Sequence, residues 1–351
     1  DYFLSGKKTT DYRNIKQTPR IDYTGTFDKH TVSVGLEGDF EYLKHYMLED
    51  SSHVNNQLYA FYVQEDWDIL DELNIVAGVR ADYHEKYHWH VTPKVSLLWH
   101  FCDHVSFRAG YAQGFRSPSL KELYQAYDMG GMGWFMLYGN SDLKPETSNQ
   151  ISLSGEFTKG GLNMSVSFAH NRFRNKIAYM SLGDGSSDMQ YVNADNAKTT
   201  ALETILRYRF GFGLILTGSY AYTNDYEEVD GRNTSLVRPH TATFNAMYSH
   251  KFGKIGFNCS LNGQWGAKFD TYTRNQNDDG TYAYEITTYD ARTMCSLNTG
   301  VTLPKGISLN LGIDNLFNYK DKAADSSLQV PQKGISVIGT VNLNIADMFG
   351  L

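Results

Sequence analysis

The 351-residue sequence is poor in cysteine and proline and has no long apolar run. It contains 3 Cys and 7 Pro, and no segment approaches the roughly 18 consecutive apolar residues that a membrane-spanning helix needs. The cysteines Cys102, Cys259 and Cys295 lack the spacing of a metal site. A helical membrane protein is therefore excluded, and we expect the cysteines to be small packed residues or turn residues rather than disulfide partners.

Positive charge is also scarce. The formal net charge is −7 and nothing resembles a basic stripe, so a nucleic-acid partner is not expected. The first residues do not form a signal peptide, and a secreted or outer-membrane protein with this sequence would be a processed or truncated piece. By contrast, Tyr at 25 and Gly at 31 are abundant, which favours many strands joined by turns.

Catalytic and metal-binding patterns are missing as well. Ser and His are plentiful, but no strand-to-helix elbow raises a nucleophile. The Asp-rich segment 275–280 lacks the spaced ligands and closing Glu of an EF-hand calcium loop, so we interpret it as a solvated loop tip. We expect a protein that is not an enzyme and that requires no cofactor.

Apolar and polar residues alternate with period two through the chain. Ile307, Leu309, Leu311 and Ile313 alternate with polar or small residues, the pattern of a strand with one apolar and one polar face. The predicted strands are 20–27, 31–42, 57–68, 73–84, 90–101, 104–115, 147–157, 162–175, 197–209, 213–225, 238–249, 254–267, 289–303, 306–318 and 334–346. Many run to about 10–14 residues, longer than typical sandwich strands and long enough to cross a bilayer at a tilt.

The connections between these strands alternate strictly between short and long. Short joins are predicted at 28–30, 69–72, 102–103, 158–161, 210–212, 250–253 and 304–305, and longer ones at 43–56, 85–89, 116–146, 176–196, 226–237, 268–288 and 319–333. This alternation is typical of an outer-membrane barrel with its long loops outside, and a soluble sandwich has no reason to keep it.

Counting back from the last strand predicts an outer loop at 5–19 and the end of a further strand at 1–4. Bacterial membrane barrels favour even strand numbers, so fifteen strands plus this stub leave two alternatives. A sixteenth strand completes a porin, or N-terminal strands outside the chain complete a larger barrel.

Three motifs occur in order along this pattern: GFRSPSLKELY at 114–124, GNSDLKPE at 139–146 and DNLFNYKD at 314–321. The ordered set resembles the marks of TonB-dependent outer-membrane receptors, and the resemblance covers essentially the whole chain. The motif residues are Phe115, Arg116, Ser117, Pro118, Asn140, Asp142, Leu143, Pro145, Glu146, Asn315, Leu316 and Phe317.

The resemblance implies an all-β fold, a transmembrane antiparallel β-barrel of the 22-stranded type closed by an N-terminal plug, in the Gram-negative outer membrane. Residues 1–351 would be the C-terminal portion of that barrel, about its last 15–16 strands. The plug and the first strands would be absent from this chain or present as a separate chain. The implied function is active import, with the TonB energy-coupling complex acting through the plug and outer-membrane lipids surrounding the barrel.

The first two motifs also have a structural interpretation. Arg116, Ser117 and Pro118 suit the end of a strand, because Pro cannot donate to the ladder and restricts the residue before it. The segment 140–146 suits a turn that re-enters a strand. We expect these motifs to shape a binding loop more than to touch a ligand.

The loop between these motifs is apolar and rich in sulfur. Its candidate ligand-binding residues are Tyr124, Tyr127, Met129, Met132, Trp134, Phe135, Met136 and Tyr138. Exposed clusters of this kind are typical of binding surfaces, and porphyrin iron accepts Tyr or Met as well as His. A loop that packs on itself or on the plug is the alternative.

The motif pair with its Met-rich loop is similar to haem receptors of the Bacteroides and Porphyromonas group. Haem is therefore the expected cargo, with a surface haem-carrier lipoprotein as a further expected partner. The loop contains no His, and His84, His88 and His90 form another predicted rim that could supply a ligand or be plain surface. Uptake of a siderophore, cobalamin or glycan, and a passive 16-stranded porin or surface barrel, are the alternatives.

Overall fold

A computed structural model describes eleven segments of the chain, namely residues 2–4, 7–9, 12–45, 47–48, 53–129, 135–182, 187–194, 196–229, 231–280, 282–320 and 333–346. They form one short helix, α1 (Leu120–Tyr124), and many strands. The strands are β1 (Tyr2–Leu4), β2 (Lys7–Thr9), β3 (Tyr12–Gln17), β4 (Arg20–Phe27), β5 (His30–His45), β6 (Val54–Leu70), β7 (Leu73–His84), β8 (His88–Cys102), β9 (Val105–Arg116), β10 (Ala126–Asp128), β11 (Met136–Tyr138), β12 (Glu146–Lys159), β13 (Leu162–Arg174), β14 (Ile177–Ser181), β15 (Met189–Asn193), β16 (Asn196–Arg209), β17 (Leu214–Val229), β18 (Arg232–Asn233), β19 (His240–Phe252), β20 (Ile255–Gly266), β21 (Phe269–Gln276), β22 (Tyr282–Tyr289), β23 (Arg292–Leu303), β24 (Ile307–Asp314) and β25 (Ser336–Leu343).

The dominant feature is a barrel that runs in chain order from β3 to β25 and leaves out β10, β11, β14, β15, β21 and β22, which lie in long connections. Its neighbouring strands pair antiparallel, as in the fourteen-residue register between β16 and β17. Paired registers follow one another from β3 and β4, which both pair with β5, round to β24 and β25. Between β25 and β3 the described residues show no paired register. The all-β barrel predicted from the alternating pattern is confirmed.

All fifteen predicted strands are present, and β7 has the predicted bounds. Their connections alternate as expected between tight turns, such as 71–72 and 103–104, and long connections such as 117–145. We call the two ends of the barrel the short-turn end and the long-loop end. The three cysteines are free thiols, with Cys295 buried on β23 and Cys102 exposed at the end of β8.

The barrel strands present an apolar face outward. On β6, Tyr59, Phe61 and Trp67 share one face and are 48%, 46% and 40% exposed, whereas Tyr62 and Gln64 lie on the other. In a membrane barrel the large exposed apolar side chains contact the lipid, so the opposite face of each strand lines the lumen. In the described residues, no helix is long and apolar enough to cross a membrane.

The prediction for the first residues was wrong in two respects. Residues 12–17, expected in an outer loop, form β3 and pair with β5 from Tyr12–His45 to Gln17–Phe40. The interruption between β3 and β4 falls at Pro19, which has no N–H to give to the ladder. The predicted strand stub at 1–4 is also not part of the barrel, because Tyr2–Leu4 pairs with Lys7–Thr9 in a separate sheet.

The predicted strand 306–318 ends four residues early. Asn315 and Asn318 have φ angles of 53° and 51°, a left-handed conformation that ends the extended chain and that Asn tolerates. The Asn315 side chain accepts from the N–H of Tyr319 at 2.8 Å and donates to the Tyr319 carbonyl at 2.9 Å. Leu316 N–H bonds to the Cys295 carbonyl, while Phe317 is 65% exposed. The third motif therefore builds a turn.

The long connections hold structure of their own. Two of them, 117–145 and 175–195, meet in a four-stranded sheet of order β10-β11-β15-β14. In this sheet β11 and β15 pair parallel, with Leu137 opposite Met189. A third long connection contains the β21–β22 hairpin. A small apolar cluster of Leu43, Leu48 and Leu120 lies at the long-loop end.

Candidate functional site

The loop between the first two motifs is closed by an ion cluster. Arg116 ends β9 and lies opposite Glu146, the first residue of β12. Its Nε donates to a Glu146 oxygen at 2.6 Å, and its Nη1 donates to both oxygens of Glu122 at 3.0 and 3.1 Å. One guanidinium therefore joins both ends of the loop to α1 inside it.

The helix inside the loop is capped by its own sequence. The Ser119 hydroxyl accepts from the Glu122 N–H at 3.3 Å, and the Glu122 carboxylate accepts from the Ser119 N–H at 2.7 Å. This reciprocal arrangement is a capping box. Pro118, the residue before Ser119, is fully buried, and Ser117 is half-buried. The Phe115 ring stacks on the His90 ring, with 4.1 Å between the ring centroids.

The second motif binds this loop to its neighbours. Asn140 accepts from the Asp142 N–H at 2.9 Å and donates to the Tyr191 carbonyl at 3.0 Å. Leu143 is 2% exposed, and its carbonyl accepts from the Tyr87 hydroxyl at 3.0 Å. The amide of Asn193, on β15, donates to the carbonyl of Lys144, the residue before Pro145. Through these contacts the motif residues hold the loop against β15 and against the turn that contains Tyr87.

Burial and charge shift the titration of groups around the loop. Burial alone would raise the pKa of Glu122, but hydrogen bonds from Arg116 and Ser119 outweigh it, and the pKa lies below its ordinary value of 4.5. Burial, with Tyr124 and Glu122 nearby, raises the pKa of Tyr87 to about 12. Glu122 is therefore ionised and Tyr87 is protonated at neutral pH.

The predicted binding residues of the loop are divided between surface and interior. Tyr127 and Met129 are 41% and 51% exposed on and after β10. Met136 and Tyr138 are half-buried on β11, and Tyr124 packs on the apolar cluster under α1. Two further candidates, Met132 and Trp134, lie outside the described residues, as does the segment 130–134 that contains them; Phe135 is half-buried.

The three histidines of the predicted rim differ in exposure. His84 ends β7 and is 2% exposed, because the 85–87 turn folds over it. Its Nδ1 accepts the N–H of Lys86 at 3.0 Å, and its ring contacts Tyr87. His88 is exposed, while His90 is half-buried and stacked on Phe115. Of the three, His88 is the one that the fold leaves open to a ligand.

A polar cleft in the lumen wall was not predicted as a site. Arg80 donates to Glu37 at 3.1 Å and to Asp82 at 2.9 Å, and Arg20 donates to Asp22 at 2.7 Å. The adjoining cleft has a volume of about 360 Å³. It is lined by Arg20, Tyr62, Val63, Gln64, Gly78, Val79, Arg80, Thr92, Lys94, Ala112 and Gln113.

The sequence did contain a signal for this cleft. An Arg-x-Asp triplet occurs on β4 and again on β7, and alternation puts both charged residues of each triplet on the lumen face. Lys94 on β8 lies opposite Gly78 on the same face, and no ion pair engages it among the described residues. Metal binding has no support there or elsewhere in those residues, which hold no group of three or more His, Cys, Asp or Glu in ligand geometry.

Barrel, lumen and loops together define an integral outer-membrane β-barrel of the receptor class. The chain belongs to the family described as TonB dependent receptor-like, beta-barrel, whose model matches residues 2–316. The family predicted from the three motifs is confirmed, as is the location in the outer membrane.

Curated relatives are similar over part of the chain. An iron-regulated outer membrane virulence protein of Vibrio cholerae is 30% identical over 220 residues, 57% of this chain and 33% of its own length. A probable TonB-dependent siderophore receptor of Acinetobacter baumannii, PirA, is 23% identical over 77% of this chain and 40% of its own length. The chain therefore spans about a third to two fifths of these relatives. Their names do not support the resemblance to haem receptors.

Solved structures share the fold. The siderophore receptor PirA from Acinetobacter baumannii aligns with a TM-score of 0.72 at 18% identity, over 94% of this chain and 54% of that one. The FrpB iron transporter from Neisseria meningitidis gives 0.72 at 16% identity, over 95% of this chain and 55% of that one. In both cases the alignment covers about half of the other chain.

Proposed function

We propose that the complete receptor containing this chain imports a ferric siderophore across the outer membrane, with energy from the TonB complex. It acts as a transporter and not as an enzyme. The family match over residues 2–316, with relatives named as siderophore receptors, carries the proposal. In this proposal the loop 117–145 and the lumen cleft bind the cargo, and the plug and coupling machinery belong to the rest of the receptor.

The chemistry of the cleft supports an anionic, oxygen-rich cargo. Ferric chelates present negatively charged oxygens, which guanidinium and ammonium groups bind through charge-assisted hydrogen bonds. Arg20 and Arg80 are already balanced by carboxylates, whereas Lys94 has no ion pair among the described residues. The Tyr62 hydroxyl adds a neutral hydrogen-bonding group at the same cleft. Lys94 is thus the side chain whose charge is available to a cargo.

Haem is the second candidate, and one observation favours it. Tyr127 and Met129 present a phenol and a thioether to solvent at the long-loop end, and both groups can ligate porphyrin iron. His88 is exposed near the same end. A haem receptor would use these side chains rather than Lys94.

Ligand titrations of the complete receptor in detergent separate the candidates. A ferric tricatecholate, a ferric trihydroxamate and haemin would each be added while tryptophan fluorescence and haem absorbance are recorded. We expect saturable binding of a ferric siderophore at micromolar concentration or below. Saturable haemin binding with a shifted Soret band, and no siderophore binding, would replace the first candidate by the second. Failure of all three to bind would overturn both.

Substitutions then locate the cargo. Lys94→Gln should weaken binding of an anionic siderophore about tenfold, the loss expected for one charge-assisted contact. Lys159→Gln, at the short-turn end, is the charge-matched control. For haemin, the double variant Tyr127→Ala with Met129→Ala should remove the Soret shift, and Phe317→Ala controls for loss of an exposed aromatic elsewhere. Unchanged affinity in both test variants would place the cargo outside the cleft and the loop.

A further inference from the structure

Three exposed cations lie together on the outside of the barrel at the long-loop end. They are Arg172 and Arg174 near the end of β13 and Lys198 near the start of β16. Arg172 is directly opposite Lys198 in the strand register. We call this trio the outer-rim patch.

Strand register shows that the patch faces outward. Phe168 is opposite Leu202, and Arg172 is opposite Lys198 four residues closer to the long-loop end on each strand. Because side chains repeat every second residue on one face, Arg172 and Lys198 share the face of Phe168 and Leu202. That face carries the exposed apolar side chains Met164, Leu202 and Leu206. The patch is therefore a continuation of the lipid-facing surface.

The height of the patch corresponds to the lipid headgroups. On β13 the outward apolar series ends at Phe168, and Arg172 follows four residues later. Four residues span roughly 13 Å of strand, or about 10 Å along the membrane normal at the usual tilt. The step between them is polar, since His170 bonds to the Thr200 hydroxyl at 2.8 Å. Arg and Lys side chains at this level reach the charged headgroup layer.

The positive charge of the patch is poorly balanced within the protein. In the described part of the chain, the side chains of Arg172 and Arg174 take part in no ion pair or hydrogen bond, and the Lys198 ammonium lies over the Tyr226 ring at 5.5 Å. One carboxylate, Glu228, lies on the same outward face and accepts from the Tyr226 hydroxyl at 2.8 Å. Like charges directly opposite on neighbouring strands destabilise a sheet, so an external anion would stabilise this one.

We propose that the outer-rim patch binds the phosphate groups of a phosphorylated glycolipid headgroup in the outer leaflet. Arginine forks match phosphate oxygens in paired hydrogen bonds, and an anionic membrane surface attracts each nearby Arg or Lys. The apolar surface below the patch accommodates the acyl chains of the same molecule. The proposal depends on the barrel's place in the membrane and is independent of its cargo.

The test measures lipid binding to the complete receptor in detergent by native mass spectrometry and by titration. The probes are bisphosphorylated lipid A, the same lipid with both phosphates removed, and inorganic phosphate. The test variant combines Arg172→Gln, Arg174→Gln and Lys198→Gln. The control combines Lys29→Gln, Lys159→Gln and Lys254→Gln, which remove the same charge at the short-turn end. Circular dichroism and unfolding temperature establish that both variants are folded.

We expect phosphorylated lipid A to bind the natural receptor and the control variant equally, and the test variant at least tenfold more weakly. Removal of the phosphates should weaken binding to the natural receptor to the same extent. Equal affinity of the natural receptor and the folded test variant would overturn the proposal. So would equal affinity for the lipid with and without phosphate. Competition by inorganic phosphate at an equal concentration would show a site for the free ion, which also contradicts a lipid site.

Discussion

Two parts of the lumen wall are built from different chemistry. The wall from β4 to β9 carries a connected set of ions around Arg20, Glu37, Arg80 and Asp82. The wall from β19 to β25 is almost uncharged between its rims. Its lumen-facing side chains include Thr243, Asn245, Asn258, Ser260, Asn262, Ser296, Asn298, Ser308, Asn310, Thr340 and Asn342.

The difference shows two ways in which a wide barrel can have a polar, hydrated lumen. Ions in the first wall fix one another in position, and each is costly to leave alone because it is partly removed from water. Short amides and hydroxyls in the second wall bond to neighbours or to water, as Asn245 does to Asn262 at 2.6 Å. We infer that the ionic wall depends on each member, whereas the neutral wall tolerates replacement.

The largest expected effect comes from removing the central cation of the ionic wall. Arg80→Met would leave Asp82, whose side chain is 6% exposed, without an ion pair, and would leave Glu37 with only the longer 3.9 Å contact to Arg20. We expect a loss of about 2–3 kcal/mol in unfolding free energy, below the full value for a buried pair because the Arg80 side chain is 33% exposed. Urea unfolding in detergent measures it.

The matched change in the neutral wall is Asn310→Ser on β24. It removes no charge, and we expect a change within about 0.5 kcal/mol. Equal losses for the two variants would remove the distinction between the walls.

The next effect concerns the ionic clasp of the loop. Arg116→Gln would leave the Glu122 and Glu146 carboxylates, 16% and 15% exposed, without their shared cation. We expect the segment 117–128 to open more often, by roughly 2 kcal/mol in local stability. Hydrogen exchange should rise about 30-fold in this segment and remain unchanged in β20. A rise of the same size in β20 would indicate general destabilisation instead.

Two glycines extend the comparison to packing. A Cβ on Gly139 would lie 2.6 Å from the backbone of Leu123, which is held by α1, whereas a Cβ on Gly300 would meet the side chains of Asn310 and Asn258. Backbone cannot rotate away, but amide side chains can. We expect Gly139→Ala to cost about 1–2 kcal/mol and Gly300→Ala less than about 0.5 kcal/mol, by thermal unfolding. The reverse order would contradict the flexible character of the neutral wall.

The smallest effect is a pH dependence of the loop. The pKa of Glu122 is lowered from 4.5 in the folded state, so its stabilising effect is complete above pH 4.5 and is lost as the pH falls through the lower, folded value. We expect protonation of Glu122 to lower the free energy of opening the loop by about 1 kcal/mol at most. Limited proteolysis of the loop should be constant from pH 7 to pH 5.5 and faster below pH 4.5. The same acid response in Glu122→Gln would assign it to another group.

The barrel could be predicted from sequence because its signal is local. Each strand shows its own alternation, and each turn or loop shows its own length, so β7 and its neighbours are recognisable one at a time. The N-terminal strand was harder. Pro19 indicates a strand boundary in the sequence. In the structure the chain is extended on both sides of it, because β3 before Pro19 and β4 after it both pair with β5.

The candidate site depends on contacts between distant segments, which alternation does not encode. The burial of His84 follows from the fold of the 85–87 turn and its bond to Leu143, and the parallel pairing of β11 with β15 joins residues about 50 positions apart. The motifs did predict a shaped loop bounded by Arg116 and Glu146. They did not indicate which of its aromatic and sulfur side chains would be exposed.

The shared sheet of β10, β11, β15 and β14 also limits how these surfaces can evolve. Leu137 pairs with Met189, and Gln190 bonds to the Gly139 carbonyl at 3.2 Å, so an insertion within either paired strand would shift the register of both connections. Length can change freely only between the strands of each hairpin. Sequence variants at this end of the barrel should therefore differ in length at the two hairpin tips and keep the spacing of the paired strands.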